Sequence, residues 1–187
     1  AQATTRTIEE EATAFVDAEK GVESVQDAID GAKDILAEVY ADDADYRTKL
    51  RAMTKESGSL VAKAKDEEAD SVYEMYYDFS EPIKKLVGHR ILAINRGEAE
   101  KFLTVKIEAP RQEILLWLVK QIIGNMKHDS ASYLYEAITD SYDRLIAPSI
   151  EREIRNELTE KAEEGAIGVF GKNLHQLLMQ PPISGQV

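Results

Sequence analysis

Apolar positions recur at helical spacing along most of this chain. Val25, Ala28, Ile29, Ala32, Ile35, Leu36, Val39 and Tyr40 share one face, so residues 24–41 read as an amphipathic helix. Ahead of it, Thr7-Ile8-Glu9-Glu10 has capping-box spacing and opens a short helix through Val16. Asp43 caps a third helix carrying Tyr46, Leu50 and Met53, which Ser57-Gly58-Ser59 ends. After Pro110, the spacing of Ile114, Leu115, Leu118, Val119, Ile122 and Ile123 predicts another helix, ended near Gly124-Asn125, and 132–146 is a further one. From Pro148 the helical pattern continues to Gln180. Its stripe is Ile150, Ile154, Leu158, Ala162, Ala166, Val169, Asn173 and Leu177, with Glu151–Arg155 and Glu157–Lys161 as i,i+4 pairs on the other face. Such a helix is about 50 Å long. It must cross two packing environments or project as a strut, and it lacks the heptad seam of a coiled coil.

Two short segments break the helical period. Leu60-Val61-Ala62 is too short for a helix. Residues 102–107 alternate, with Leu103, Val105 and Ile107 on one side and Thr104 and Lys106 on the other. Together they predict one small two-stranded β patch. Tyr73, Tyr76, Tyr77 and Phe79 form an aromatic cluster; such clusters can stack on bases, but more often they are core. Ser80 then caps a helix with Pro82 in its first turn, running to Val87. Gly88 breaks that helix, and 89–96 forms a second, closed by Gly97 in the left-handed conformation. The fold class is therefore mainly all-α. It is a multi-helix bundle with a helix-turn-helix-like corner and a long C-terminal helix of about 30 residues that starts at Pro148. In linear order the segments are N-terminal helices (1–57), the corner with short strands (58–109), a helical hairpin region (110–147), the long helix (148–180) and a linker start (181–187).

Composition narrows the chemistry. The 187 residues are 43% hydrophobic and 31% charged, a globular balance. There is no cysteine, which removes disulfides and thiolate ligands and fits a reducing, cytoplasmic setting. The first thirty residues hold no apolar signal region, and the longest apolar run, Ile114 to Val119, is far short of a membrane span. The chain opens Ala-Gln without an initiator Met and closes Gly185-Gln186-Val187, so both ends read as cuts in something longer. His89, His128 and His175 stand in separate elements without a partner at ligand spacing. Asp42-Asp43-Ala44-Asp45 lacks the glycine and distal glutamate of a calcium loop. No phosphate-cradling loop occurs, and Gly165, Gly168 and Gly171 lie inside a helical pattern. The expectation is a non-enzyme with no catalytic residue, metal, cofactor or small-molecule substrate.

Charge points elsewhere. The net charge is −12, yet between Lys84 and Lys106 six basic residues face two acids. Lys84, Lys85, His89, Arg90, Arg96 and Lys101 are thus candidate nucleic-acid contacts, with Gly88, Gly97 and Pro148 as structural residues. Clustering on a solvated face is the plain alternative.

The run His89-Arg90-Ile91-Leu92-Ala93-Ile94-Asn95-Arg96-Gly97-Glu98 closely resembles the HRxLAxxRGE signature of the Tex family of bacterial transcription accessory proteins. Residues 146–163 resemble that family's long helix, and 173–183 resemble the segment before its RNase-H-like domain. The match runs from about Ile8 to the end. It implies a fragment of a protein whose RNase-H-like domain, helix-hairpin-helix elements and RNA-binding OB-fold domain lie outside this chain. Nucleic acid would then be met mainly through those absent domains, with transcription-machinery proteins as possible partners. The chain departs from the family at Gly165, Gly168 and Gly171, where bulkier helix formers are usual, and at His175, where arginine is usual. Besides the remote reading of a helical subdomain of an enzyme whose catalytic half lies outside this chain, two functional readings follow. One is a scaffold and interaction region of a Tex-like protein, in which Arg90 and Arg96 are paired internally. The other is direct nucleic-acid binding through 84–106. His89 and Arg96, seven apart, share a helix face, allowing a joint contact with a phosphate or with a carboxylate of the long helix.

Overall fold

The structure, a computed structural model, describes residues 7–124 and 130–179. It divides into two units built from interleaved segments, 1–54 with 109–151 and 55–108 with 152–187.

The first unit is helical. Thr7 caps α1 (Ile8–Ala12) with both bonds of a capping box, and a tighter 3-10 turn carries the chain on to Phe15. Ser24 does the same for α2 (Val25–Asp42), with Asp27 as the returning carboxylate. Asp43 accepts from the Tyr46 N–H at 2.8 Å and opens α3 (Ala44–Ser57). The core gathers Ile29, Ala37 and Ala41 of α2, Leu50 of α3, and Ile114, Leu115 and Leu118 of α5 (Arg111–Ile122). Ala137 and Ile138 of α6 (Ala131–Asp140) complete it. Tyr46 meets Trp117 edge-on at 5.7 Å. The buried Ser141 hydroxyl donates to the Ala37 carbonyl at 2.7 Å.

Pro148 does not start the long helix. α6 runs into a π-helical stretch, Ser141–Ile146, and then without interruption into α7 (Ala147–Leu178). The Ala147 N–H reaches back five residues to Tyr142. Proline has no N–H and its ring crowds the carbonyl four residues earlier, so a mid-helix proline normally kinks or ends the helix. The wider π turn just ahead of Pro148 makes room for it, one of the identifiable ways a helix absorbs such an insult. Helix propensity places a break at Pro148 because it does not register a π turn.

The second unit carries a three-stranded antiparallel sheet in the order β2–β1–β3: β1 is Ser59–Ala64, β2 Asp78–Pro82 and β3 Leu103–Glu108. The β1–β3 pairing is as expected, with Leu60 opposite Ile107. β2 is a correction. Where a helix was predicted from Ser80 to Val87, the chain is a strand followed by one 3-10 turn, Ile83–Lys85. Pro82 has φ −55°, which suits a helix start and an extended chain alike. Pairing with β1 selects the extended option, and proline is tolerated because β2 is an edge strand. Only one helix follows, α4 (Gly88–Ala99), so the helix-glycine-helix outline is absent here. The aromatic cluster is core: Tyr73 and Tyr76 are buried with Leu60, Ala62, Ile94, Leu103 and Val105, and Phe79 and Phe102 pack against them.

Gly97 is also a correction. It lies inside α4, buried, and is not among the glycines with positive φ. The left-handed residue is Lys101, at φ 69°. The Phe102 N–H bonds to the Gly97 carbonyl at 2.9 Å and the Lys101 N–H to the Glu98 carbonyl at 3.0 Å. That is a Schellman closure with lysine at the position glycine usually takes. Gly97 is needed for space: a Cβ there would stand 2.7 Å from Leu103 Cδ1 and 3.1 Å from Tyr73 Cδ1.

A candidate nucleic-acid interface and what it is tied to

The basic segment lies in the second unit and spans the turn before α4, α4 itself and its C-cap. Lys84 is exposed and ion-paired to Glu56. Lys85, His89 and Lys101 are exposed. Arg90 is half-buried and reaches both carboxylate oxygens of Glu81 on β2, at 2.8 and 2.9 Å from Nη1. Arg96 donates from Nε to Glu100 at 2.8 Å. The Arg96 guanidinium, and then the Tyr73 hydroxyl, hold the Glu100 carboxyl below its ordinary range, while burial and Glu100 push the Tyr73 phenol up. α4 is about 18 Å long, so Lys85 and Lys101 stand at opposite ends of it.

Two more polar residues of α4, Asn95 at an unspecified position of the signature and Glu98 at its end, are bonded to α7. Asn95 donates from Nδ2 to the Thr159 hydroxyl at 2.8 Å. Its Oδ1 accepts from Arg155 Nη2 at 3.3 Å. Arg155 also grips Glu98 with both terminal nitrogens, Nη1 at 3.1 Å, and donates to the Val105 carbonyl at 3.5 Å. Gly88 completes the seam, since a Cβ on it would stand 3.2 Å from the Ala162 Cα. The long helix therefore supplies an arginine to the signature, where a carboxylate was allowed for. Asn95, Glu98 and Arg155 are the residues that sequence reasoning missed. A half-buried Asn and Glu carry no signal in a single sequence, and Arg155 was read only as the partner of Glu151. Two residues beyond Arg155 on α7, Glu157 bridges Lys161 at 2.8 Å and Lys55 at 2.5 Å. Those two ammonium groups, Lys161 first, bring its carboxyl down to about 2.

His128 and the segment from Gln180 onward lie outside the described residues. Among the described residues no helix is long and apolar enough to cross a membrane.

A family model described as Tex central region-like matches residues 3–170. The chain belongs to the Tex family. Relatives by sequence extend the match. YdcI of Bacillus subtilis (strain 168) is 47% identical over 175 residues, 92% of this chain and 24% of that protein. S1 RNA-binding domain-containing protein 1 of Homo sapiens is 34% identical over 181 residues, 89% of this chain and 18% of its own length. Protein tex of Bordetella pertussis is 30% identical over 186 residues, 91% of this chain and 24% of that protein. The chain thus spans about a quarter or less of the length of the relatives it matches.

Proposed function

We propose that this Tex central region is a scaffold and interaction segment of a transcription accessory protein acting in the cytoplasm, and that it has no catalysis of its own. One observation carries the reading: Arg90 of the signature is held by both carboxylate oxygens of Glu81 on β2, while Arg96 pairs at the surface with Glu100 four residues on. An arginine already paired has less to offer a phosphate, because a new contact must first break the old one. Glu98 of the signature likewise holds α7 through Arg155, and the neighbouring Asn95 adds bonds to Arg155 and Thr159. In this reading the stretch from Gly88 to Glu98 ties α4 to β2 through Arg90 and to the long helix through Gly88, Asn95 and Glu98. Nucleic acid reaches the whole protein mainly through other parts, in keeping with the S1 RNA-binding domain in the human relative's name. Transcription-machinery proteins are the partners the segment would serve.

A second reading keeps direct nucleic-acid contact through 84–106, favoured by the exposure of Lys85, His89 and Lys101. Titration of labelled duplex DNA and single-stranded RNA separates the two. The scaffold reading expects binding only at low salt, falling steeply as salt rises, since few phosphates are neutralised by a chain of net charge −12. Sub-micromolar binding at about 0.15 M salt, lost on removing Lys85 and Lys101, overturns it in favour of the second.

A further inference from the structure

Within the first unit, α1 and its following turn, α2 and α6 enclose an open cleft of about 620 Å³. Its lining is apolar: Ala12, Phe15, Ile29, Ile35 and Leu134 are among its walls. Phe15 is 70% exposed and Ile35 65%, so two large apolar side chains stand in water at its mouth. The stripe read along α2 is wider than the core it meets, and Ala32, Ile35 and Val39 are its uncovered edge. Patches of this kind on a soluble surface mark interaction sites.

Charge says what fits. Residues 7–43 carry twelve acids and two basic residues. Both lysines are already neutralised, Lys20 by Asp17 at 2.9 Å and Lys33 by Asp30 at 2.7 Å and Glu136 at 2.9 Å. An apolar floor inside an acidic field repels nucleic acid and the anionic surface of a membrane. Backbone chemistry says in what form. The helices that line the cleft offer no unpaired strand edge, so an occupant must satisfy its own N–H and C=O groups, as a helix does. A second copy offering its own exposed apolar helix fits poorly, because residues 163–179 carry Glu163 and Glu164 against Lys172 alone.

We propose that this cleft docks a lysine- or arginine-rich amphipathic α-helix of a partner protein, its apolar stripe against Ile35 and Phe15 and its cations over the acids of α1 and α2. The proposal stands apart from the α4 face and holds whichever way the nucleic-acid question falls.

The test uses three labelled peptides of about 18 residues, long enough for a stable amphipathic stripe on binding. One has leucines at i, i+3, i+4 and i+7 with lysines elsewhere. The second replaces the lysines with glutamates, and the third replaces the leucines with serines. Anisotropy at about 0.15 M salt should show the first binding at least tenfold more tightly than either of the others. Ile35→Glu and Phe15→Ser should each weaken it at least tenfold, while Ile167→Glu on the distal part of α7 leaves it unchanged. Both altered cleft residues are exposed, so unchanged circular dichroism confirms an intact fold. Equal binding of the leucine and serine peptides would reduce the effect to charge alone and overturn the proposal. So would indifference to Ile35→Glu, a concentration-dependent dimer abolished by that change, or equal binding to anionic lipid vesicles.

Discussion

At the residue scale two positions decide how α4 is built. Gly97 and Gly88 are both helical, yet an added methyl meets different neighbours. At Gly97 it meets the buried Leu103 and Tyr73 side chains, the nearest atom at 2.7 Å. At Gly88 it meets Ala162 backbone at 3.2 Å, a distance that a shift of a few tenths of an ångström relieves. Gly97→Ala should therefore cost about 1–3 kcal/mol by overpacking. Gly88 is the first residue of α4, where alanine gains less than the roughly 1 kcal/mol of an interior site, so Gly88→Ala sets a small gain against a mild squeeze and should fall near zero. Urea melts compare them, and a Gly97→Ala protein as stable as the parent would remove the packing argument. Lys101 is the converse case. A lysine at φ 69° carries a backbone cost of about 1 kcal/mol that glycine lacks. Lys101→Gly should raise stability by about that amount, and this checks the Schellman assignment independently of any ligand. The sequence hid this arrangement. A glycine after a short helical run points to a left-handed cap, while a lysine gives no sign that it occupies one. Only the Phe102–Gly97 and Lys101–Glu98 hydrogen bonds reveal which residue does which job.

At the element scale, α7 separates into a held part and an unpartnered part. Ile150, Ile154 and Ala162 are buried, whereas every described residue from Glu163 to Met179 is exposed, Phe170 and Leu177 included. The stripe that looked uniform on paper is covered over only its first half. Periodicity made the helix legible but could not say where its partners end. The same holds for Ser141–Ile146, whose π turn has no signature in the apolar pattern, and for β2, whose proline permits two outcomes until β1 chooses between them. The three glycines fall in the uncovered half, and a Cβ on Gly165, Gly168 or Gly171 would meet nothing within 4 Å. Among the described residues the three glycines therefore form no packing seam, and α7 runs through them as continuous helix. Replacing all three with alanine should raise helix content and slow amide exchange beyond Gly165, by roughly 1 kcal/mol per site locally, with little change in the global midpoint. Unchanged or faster exchange would show that the glycines serve a contact this helix makes within the fold.

At the scale of the whole molecule the charge is unevenly shared. The segments of the first unit hold 19 acids and 10 basic residues, and those of the second hold 16 and 13. The interleaving of the two units, and hence this division, was not legible from the linear pattern. Contiguous segments were the natural reading, and no local signal marks where a chain leaves a unit and later returns. The imbalance sets two opposing responses to acid. Carboxylates crowded on the first unit repel one another, so their protonation relieves strain between like charges. Carboxylates held by cations lose a stabilising contact when protonated, and Glu157 is the strongest of these, its carboxyl brought from 4.5 to about 2 by Lys161 and Lys55. Its folded value lies below its unfolded one. Its contribution is therefore complete above about pH 4.5 and is lost as pH falls toward 2. The side chain is 26% exposed, and solvent screening reduces the contribution to roughly 1 kcal/mol. Glu157→Gln should therefore lower stability by about that amount at pH 7, by the same amount at pH 6, and progressively less below pH 4.5 until the two curves meet. Urea unfolding of both proteins across that range measures it. A difference that stays constant down to pH 3 would mean that the glutamate acts through packing and not through its charge.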